Sequence, residues 1–304
     1  MSEGATTVIS MPLLRLIARL AGLSRRVGFD GDALSDWLTT HGEPHHLHAT
    51  FVAATVPGDA LTVLAPRADG WTSPVLAALA PGAERLFRVA AAVPANGALI
   101  GRRFARAGSD PVVWVDAAWG STEIDAALAA WGTDAAVRAA LLARLDLLPA
   151  GDGDAIRLYG AGPDARLEVR RALRVLDGDH APALVDLAEG LGVDAQQLGF
   201  LRDGFEALFP PGVEHRTSVG LAIVGDRLLP ELVIDLEGLT GSWARALLAG
   251  FGADPDVDAT IGALETAVGA TPDDSGGAPI DAVTLTLDDA PASPHVTLGW
   301  FAAT

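Results

Sequence analysis

Several short runs in this chain carry arginine, aromatic and acidic residues two or four positions apart, which is the spacing that brings side chains to one face of a strand. Arg157 and Tyr159 share a parity in Ala155-Ile156-Arg157-Leu158-Tyr159, with isoleucine and leucine on the other. Arg166 and Arg170 lie in the next run, and Arg216 opens a later one. Trp114 shares its parity with Asp116, and Glu231 shares its parity with Asp235. Arg103 belongs to the cluster Arg102, Arg103 and Arg106, a grouping that is more often solvated surface. Planar guanidinium forks recognise phosphate or carboxylate groups. Two readings of the arginines stand at this point: a local anion site, or pairing with the abundant acids. Tyr159 likewise reads as a ligand contact or as an aromatic that fills space, and Trp114 and Trp300 read first as packing residues.

Composition removes many alternatives. The 304 residues contain no cysteine, which excludes disulfides, thiolate nucleophiles and thiolate metal sites. All 21 basic residues are arginine, so lysine Schiff-base chemistry is excluded as well. A net charge of −18 argues against nucleic acid or anionic membrane as a partner of the general surface. No run approaches the roughly 18 apolar residues of a bilayer span, and the N-terminus shows no leader pattern, so the cytoplasm is the expected location. His45, His46 and His48 lack an identifiable third strong ligand. Gly160 and Gly162 lie between two strand-like runs rather than at the start of a helix, which is wrong for a dinucleotide loop. No G-x-S-x-G elbow and no calcium-loop spacing is present.

The elements that must position these residues repeat along the chain. Five segments read as hairpins, near 45–67, 97–119, 155–174, 214–239 and 280–302, each built around a Gly or Pro turn signal. The turns are expected at Pro57 to Asp59, Ala107 to Asp110, Gly160 to Asp164, Gly225 to Arg227 and Asp289 to Ala292. Helical periodicity fills the stretches between, Ser73 to Val93, Ser121 to Leu147, Ala181 to Phe209 and Gly241 to Val268. Breaks are expected at Pro81-Gly82, at Gly132 and near Gly252 to Asp256. A further amphipathic helical region covers 9–41. The hairpins start roughly 50 to 65 residues apart, the scale of a repeated supersecondary unit, and no linker divides the chain, so residues 1–304 read as one domain.

Strand texture decides what such a sheet encloses. In Ala282-Val283-Thr284-Leu285-Thr286-Leu287 and in His295-Val296-Thr297-Leu298-Gly299-Trp300, one parity is apolar and the other polar or small. The apolar face needs the intervening helices as partners, and the other face meets water or a ligand. Ten antiparallel strands covered on one side would leave two open edges unless the sheet curled shut. The expected fold is therefore α+β, a ten-stranded antiparallel β-barrel of repeated ββα units with helices outside and a polar lumen. Hairpins forming separate sheets are the weaker alternative.

This order of elements, and the closing run from Val283 to Phe301, resembles the ABBA aromatic prenyltransferases, also called the PT barrel. The resemblance covers residues 9 to 303 and rests on architecture and strand texture. It implies a transferase of natural-product, or secondary, metabolism, which moves an isoprenoid group from an allylic diphosphate to an aromatic small molecule or peptide side chain. Under that resemblance Arg103, Arg157, Arg166, Arg170 and Arg216 would hold the diphosphate. Tyr159 and Trp114 would line the cation pocket. Glu231 or Asp116, with Asp235 as a further candidate, would orient the acceptor and remove its proton. It leaves Mg2+ and the oligomeric state open. The chain departs from the family's pattern in having one tyrosine and no lysine. That departure supports a second reading, a barrel that binds a peptide or small molecule without prenylating it.

Overall fold

The computed structural model describes residues 11–41, 50–56, 60–67, 84–93, 98–149, 151, 153–160, 164–173, 181–208, 216–240, 245, 255–269, 279–291 and 294–302. The chain begins with helices α1 (Met11–Gly22), α2 (Ser24–Val27) and α3 (Gly31–His41), followed by strands β1 (Phe51–Val56) and β2 (Ala60–Arg67). Then come α4 (Glu84–Ala92), β3 (Ala98–Ala105), β4 (Gly108–Trp119), α5 (Ser121–Trp131) and α6 (Ala135–Leu145). The third hairpin is β5 (Gly153–Tyr159) and β6 (Arg166–Leu173), followed by α7 (Ala181–Leu191) and α8 (Ala195–Leu208). The chain continues through β7 (Arg216–Val224), β8 (Arg227–Thr240), α9 (Pro255–Val268), β9 (Pro279–Leu287) and β10 (His295–Phe301).

The ten strands form a closed antiparallel barrel in which each strand pairs with its neighbours in sequence. Closure is made by the first and last strands, with Val52 opposite Trp300 and Thr55 opposite Thr297. Separate sheets are thereby excluded. Alternation sorts the two faces as expected. Val52, Val63, Ile100, Val113, Ile156, Leu167, Val219, Ile234, Leu285 and Trp300 are all buried on the outer face, in one core with the helices. Each such side chain contributes about 1.5–3 kcal/mol by leaving water. The helices present matching stripes: Leu13, Leu16, Ile17 and Leu20 on α1, and Ile124, Ala127, Leu128 and Trp131 on α5.

Helix boundaries follow local chemistry. The Glu123 carboxylate accepts the Gly120 N–H at 3.1 Å before α5, and Asp134 accepts the Ala136 N–H at 2.7 Å before α6. Gly132, at φ 95°, ends α5 where a break is expected. Gly192, at φ 88°, imposes a second break between α7 and α8, which the continuing apolar periodicity of 181–209 conceals. The second hairpin also turns earlier than expected. Its turn is Arg106-Ala107, Ala105 stands opposite Gly108, and Gly108 takes φ 146° as the first residue of β4. Only glycine adopts that conformation readily, so it serves as strand rather than as turn. The Pro57 to Asp59 turn, most of 73–83 and 241–254, and the three clustered histidines lie outside the described residues.

Two glycines give opposite expectations. A Cβ on Gly101 would lie 1.8 Å from the Val63 carbonyl oxygen on the neighbouring strand, whereas one on Gly262 in α9 would meet nothing within 4 Å. Gly101→Ala should lower the free energy of unfolding by about 1–3 kcal/mol. Gly262→Ala should raise it by about 0.4–1 kcal/mol, because it restricts the unfolded chain and suits a helix. Urea denaturation of the two variants checks both signs.

Candidate active site

The inward parity of the barrel encloses a cavity of about 360 Å³ with three kinds of wall. β1, β2, β9 and β10 contribute hydroxyls, Thr55, Thr62, Thr284, Thr286 and Thr297, with Asp288 and His295 beside them. Phe51, Trp114 and Tyr159 supply an aromatic patch. The third wall is charged, with Arg166, Glu168 and Arg170 on β6 and Glu231 on β8, while Arg103 reaches the cavity from β3.

The charged wall is one connected network. Glu168 takes N–H bonds on both oxygens, Oε1 from Arg166 Nε at 2.9 Å and Oε2 from Arg170 Nε at 3.0 Å and Nη2 at 2.6 Å, and Arg166 Nη2 stands in ion-pair contact with Oε1 at 2.8 Å. The Tyr159 hydroxyl donates to Glu168 Oε2 at 3.5 Å. Asp235 Oδ2 pairs with Arg157 Nη1 at 2.6 Å and with Arg170 Nη1, while its Oδ1 accepts the Thr284 hydroxyl. Arg166 Nη1 pairs with Glu231. Arg170 stands opposite Gly220, where a Cβ would lie 3.0 Å from Arg170 Cγ. That bare position leaves room for the guanidinium to pass β7 and reach Asp235 on β8.

Burial and charge oppose each other at every member. Burial would raise the pKa of Glu168, but Arg170, Arg166 and Arg157 outweigh it and hold the carboxyl below its ordinary value. Asp235 is also lowered, burial being overcome by Arg157, Arg170 and the Thr284 hydrogen bond. Arg170 is raised well above the ordinary arginine value, because Asp235 and Glu168 more than offset its burial. Glu231 goes the other way: burial raises it, and Arg166 only partly restrains the shift. Tyr159 is raised by burial and then by Glu168, which keeps the phenol protonated. Arg157, Arg166 and Arg170 thus face Glu168, Asp235 and Glu231, and the formal charges on this wall cancel.

The aromatic patch is joined to this wall. The Arg157 guanidinium carbon lies 3.8 Å above the Trp114 ring, a cation–π stack between residues directly opposite on β4 and β5. Phe51 leans on Trp114 with centroids 5.1 Å apart and touches Phe301 at 5.3 Å. Gly299 makes space for it, since a Cβ there would lie 2.1 Å from the Phe51 ring. Trp114 Nε1 and Arg157 Nε are buried without a hydrogen-bond partner among the described residues.

Of the residues singled out from the sequence, Arg103, Trp114, Arg157, Tyr159, Arg166, Arg170, Glu231 and Asp235 meet in or beside this cavity. Asp116 and Arg216 belong to β4 and β7, and their side chains lie outside the described residues. Arg102 takes the opposite face from Arg103 and bonds Ser109, and Arg171 pairs with Asp154 on the outer face. Trp300 packs in the outer core, as its parity requires. Glu168 escaped the sequence reading, although it shares the parity of Arg166 and Arg170 and alternates with Leu167 and Val169. The threonine wall was visible as a polar parity without a role. The donor set does not suit a resident Mg2+: among the described residues no three His, Asp or Glu side chains converge, and Glu168, Glu231 and Asp235 are engaged by arginine. No described helix is long and apolar enough to cross a membrane.

Neither a scan of protein-family models nor a search of curated proteins finds a match to this chain. Solved structures do match it. Prenyltransferase PriB, in a ternary complex with L-tryptophan and dimethylallyl thiolodiphosphate, is 15% identical with a TM-score of 0.65, covering 96% of each chain. The 5-dimethylallyl tryptophan synthase of Streptomyces coelicolor, in complex with DMASPP and Trp, is 16% identical with a TM-score of 0.66 over 94% of this chain and 92% of that one. The NotF prenyltransferase is 8% identical with a TM-score of 0.54, covering 98% and 97%. At these identities the likeness is one of architecture, and by it the chain has the ten-stranded ABBA barrel of the aromatic prenyltransferases.

Proposed function

We propose that this protein transfers an isoprenoid group from an allylic diphosphate to an aromatic acceptor inside its lumen. The observation that carries this reading is the convergence of Arg103, Arg157, Arg166 and Arg170 on or beside one cavity that is also walled by Phe51, Trp114 and Tyr159. Fold neighbours that hold a dimethylallyl diphosphate analogue together with tryptophan support the pairing of donor and acceptor.

The chemistry divides among the walls. The allylic C–O bond breaks and the diphosphate leaves with its electron pair, so negative charge grows where guanidinium N–H groups are oriented. Arg166 is the most accessible of the three arginines in the network, with 24% of its side chain exposed, and is the first contact for the leaving group. Phe51 and the neutral Tyr159 face the allylic cation, while Arg157 covers one face of Trp114. A new bond forms between the allylic carbon and the acceptor, and the acceptor's proton passes to a carboxylate. Glu231 suits that role, being partly exposed and more basic than an ordinary carboxylate. Asp116 and Arg216 remain further candidates for acceptor and donor contacts. The acceptor is a small aromatic compound or a peptide side chain.

A second reading is favoured by one specific observation, the neutralisation of Arg157, Arg166 and Arg170 by their own carboxylates. A barrel balanced in this way suits a ligand without net charge, held without any transfer.

Incubation with dimethylallyl or geranyl diphosphate and a panel of aromatic acceptors, tryptophan included, should release diphosphate and yield a prenylated product. Arg166→Ala should lower kcat/KM about 10²–10³-fold, the scale of losing one oriented donor to a developing anion. The absence of both turnover and diphosphate binding would leave the binding reading.

The pH profile offers an independent check. Because Glu231 must be ionised to accept a proton, the rate should fall as pH drops through its raised pKa, at a pH above the ordinary carboxylate range. Glu231→Gln should remove that limb. A limb that survives the substitution assigns the base elsewhere, with Asp116 next in line.

A further inference from the structure

At the centre of the charged wall, a carboxylate occupies the position an anion would take. Glu168 is flanked on its own strand by Arg166 and Arg170 and stands directly opposite Arg157 on β5. Three N–H bonds of 2.6 to 3.0 Å, an ion-pair contact from Arg166 Nη2 at 2.8 Å and the Tyr159 hydroxyl converge on its two oxygens. Its side chain is 5% exposed, so no water shell replaces those donors if they turn away. The phosphate oxygens of a diphosphate require the same arrangement of oriented guanidinium donors.

Glu168 and an entering anion therefore compete for the same hydrogens. Were the diphosphate to take them while Glu168 stayed ionised, a buried carboxylate would be left unpaired beside a second negative group. Such an arrangement is strongly unfavourable. Neutralisation by a proton from solvent removes that cost, and the carboxyl already sits where burial favours the neutral form once the arginines are withdrawn.

We propose that Glu168 stands in for the diphosphate in the free protein, and that an entering diphosphate takes over its guanidinium donors while Glu168 accepts one proton from solvent. This rests on the reading of the lumen as a diphosphate site. Asp235 keeps Arg157 and the Thr284 hydroxyl throughout, so the rest of the wall stays in place.

The titratable and charged groups facing Glu168 are Arg157 and Tyr159 from β5, Arg166 and Arg170 from β6, and Asp235 and Glu231 from β8. β7 presents Ala222 opposite it. Arg103, Asp288 and His295 line the same cavity farther round the barrel. Uptake of one proton per anion bound means that affinity falls about tenfold per pH unit as pH rises, over the interval where Glu168 is ionised in the free barrel and protonated in the complex.

Titration calorimetry of the full-length protein with inorganic pyrophosphate, between about pH 5 and 7 in buffers of different ionisation heat, measures both affinity and protons taken up. Wild type should take up one more proton per pyrophosphate than Glu168→Gln, which cancels the probe's own titration. Glu168→Gln should also bind at least tenfold more tightly at the upper end of the range and lose the steep dependence on pH.

Each outcome separates this proposal from the transfer reading. Pyrophosphate bound equally by wild type and Glu168→Gln, with equal proton uptake, overturns the role of Glu168 and leaves transfer standing. Binding by Glu168→Gln alone overturns displacement in the natural chain, and transfer with it, because Glu168 then holds the anion position permanently. Binding by neither overturns both. If Glu168→Gln does not fold, as circular dichroism would show, the wild-type proton count decides: one proton beyond the probe's own supports the proposal, and none beyond it overturns it.

Discussion

A charge inside a closed sheet has to find its counter-charge on the same wall, because the helices outside and the strands around it keep water away. Arg170, almost wholly buried, meets this requirement through Glu168 on its own strand and Asp235 two strands away. The pairings join β5, β6 and β8 across the lumen, and Gly220 on β7 leaves the space that the longest of them needs. Taking away one member of such a network leaves another charge stranded, so these residues hold one another in place. The proposed anion site and the stability of the wall thus draw on the same hydrogen bonds.

The barrel itself is held by a different force. Its outer parity and the helix stripes form one apolar core on the face turned away from the lumen. The inner apolar cluster, built around Phe51, Leu64, Val112 and Trp114, is small by comparison and lies beside the charged wall. The division leaves the inner surface free to vary in chemistry while the outer surface keeps the fold. Two side chains link the inner regions: Arg157, stacked on Trp114 and paired with Asp235, and Tyr159, which packs against the inner apolar cluster and donates to Glu168.

Much of this was legible along the chain. Alternation in Val283 to Leu287 and in Val296 to Trp300 separated core from lumen correctly, and parity alone put Arg157 beside Tyr159 and Arg166 beside Arg170. Local signals were less dependable where two of them competed. Gly192 interrupts a helix whose apolar spacing runs on past it, and Gly108 is a strand residue although its type suggests a turn. In both cases a positive φ, which no hydropathy pattern encodes, decided the outcome.

Residue types and their period of two led by themselves to ten strands, an apolar outside and a polar inside. Which carboxylate meets which arginine was decided only by the tertiary structure. Glu168 is two residues from Arg166, but Asp235 is 65 residues from Arg170 and 78 from Arg157, and Phe51 meets Phe301 only because the first strand pairs with the last. Periodicity reports the face a side chain takes. The partner across the lumen is set by strand register and by the curvature that closes the sheet, which together bring distant segments within a hydrogen bond of each other.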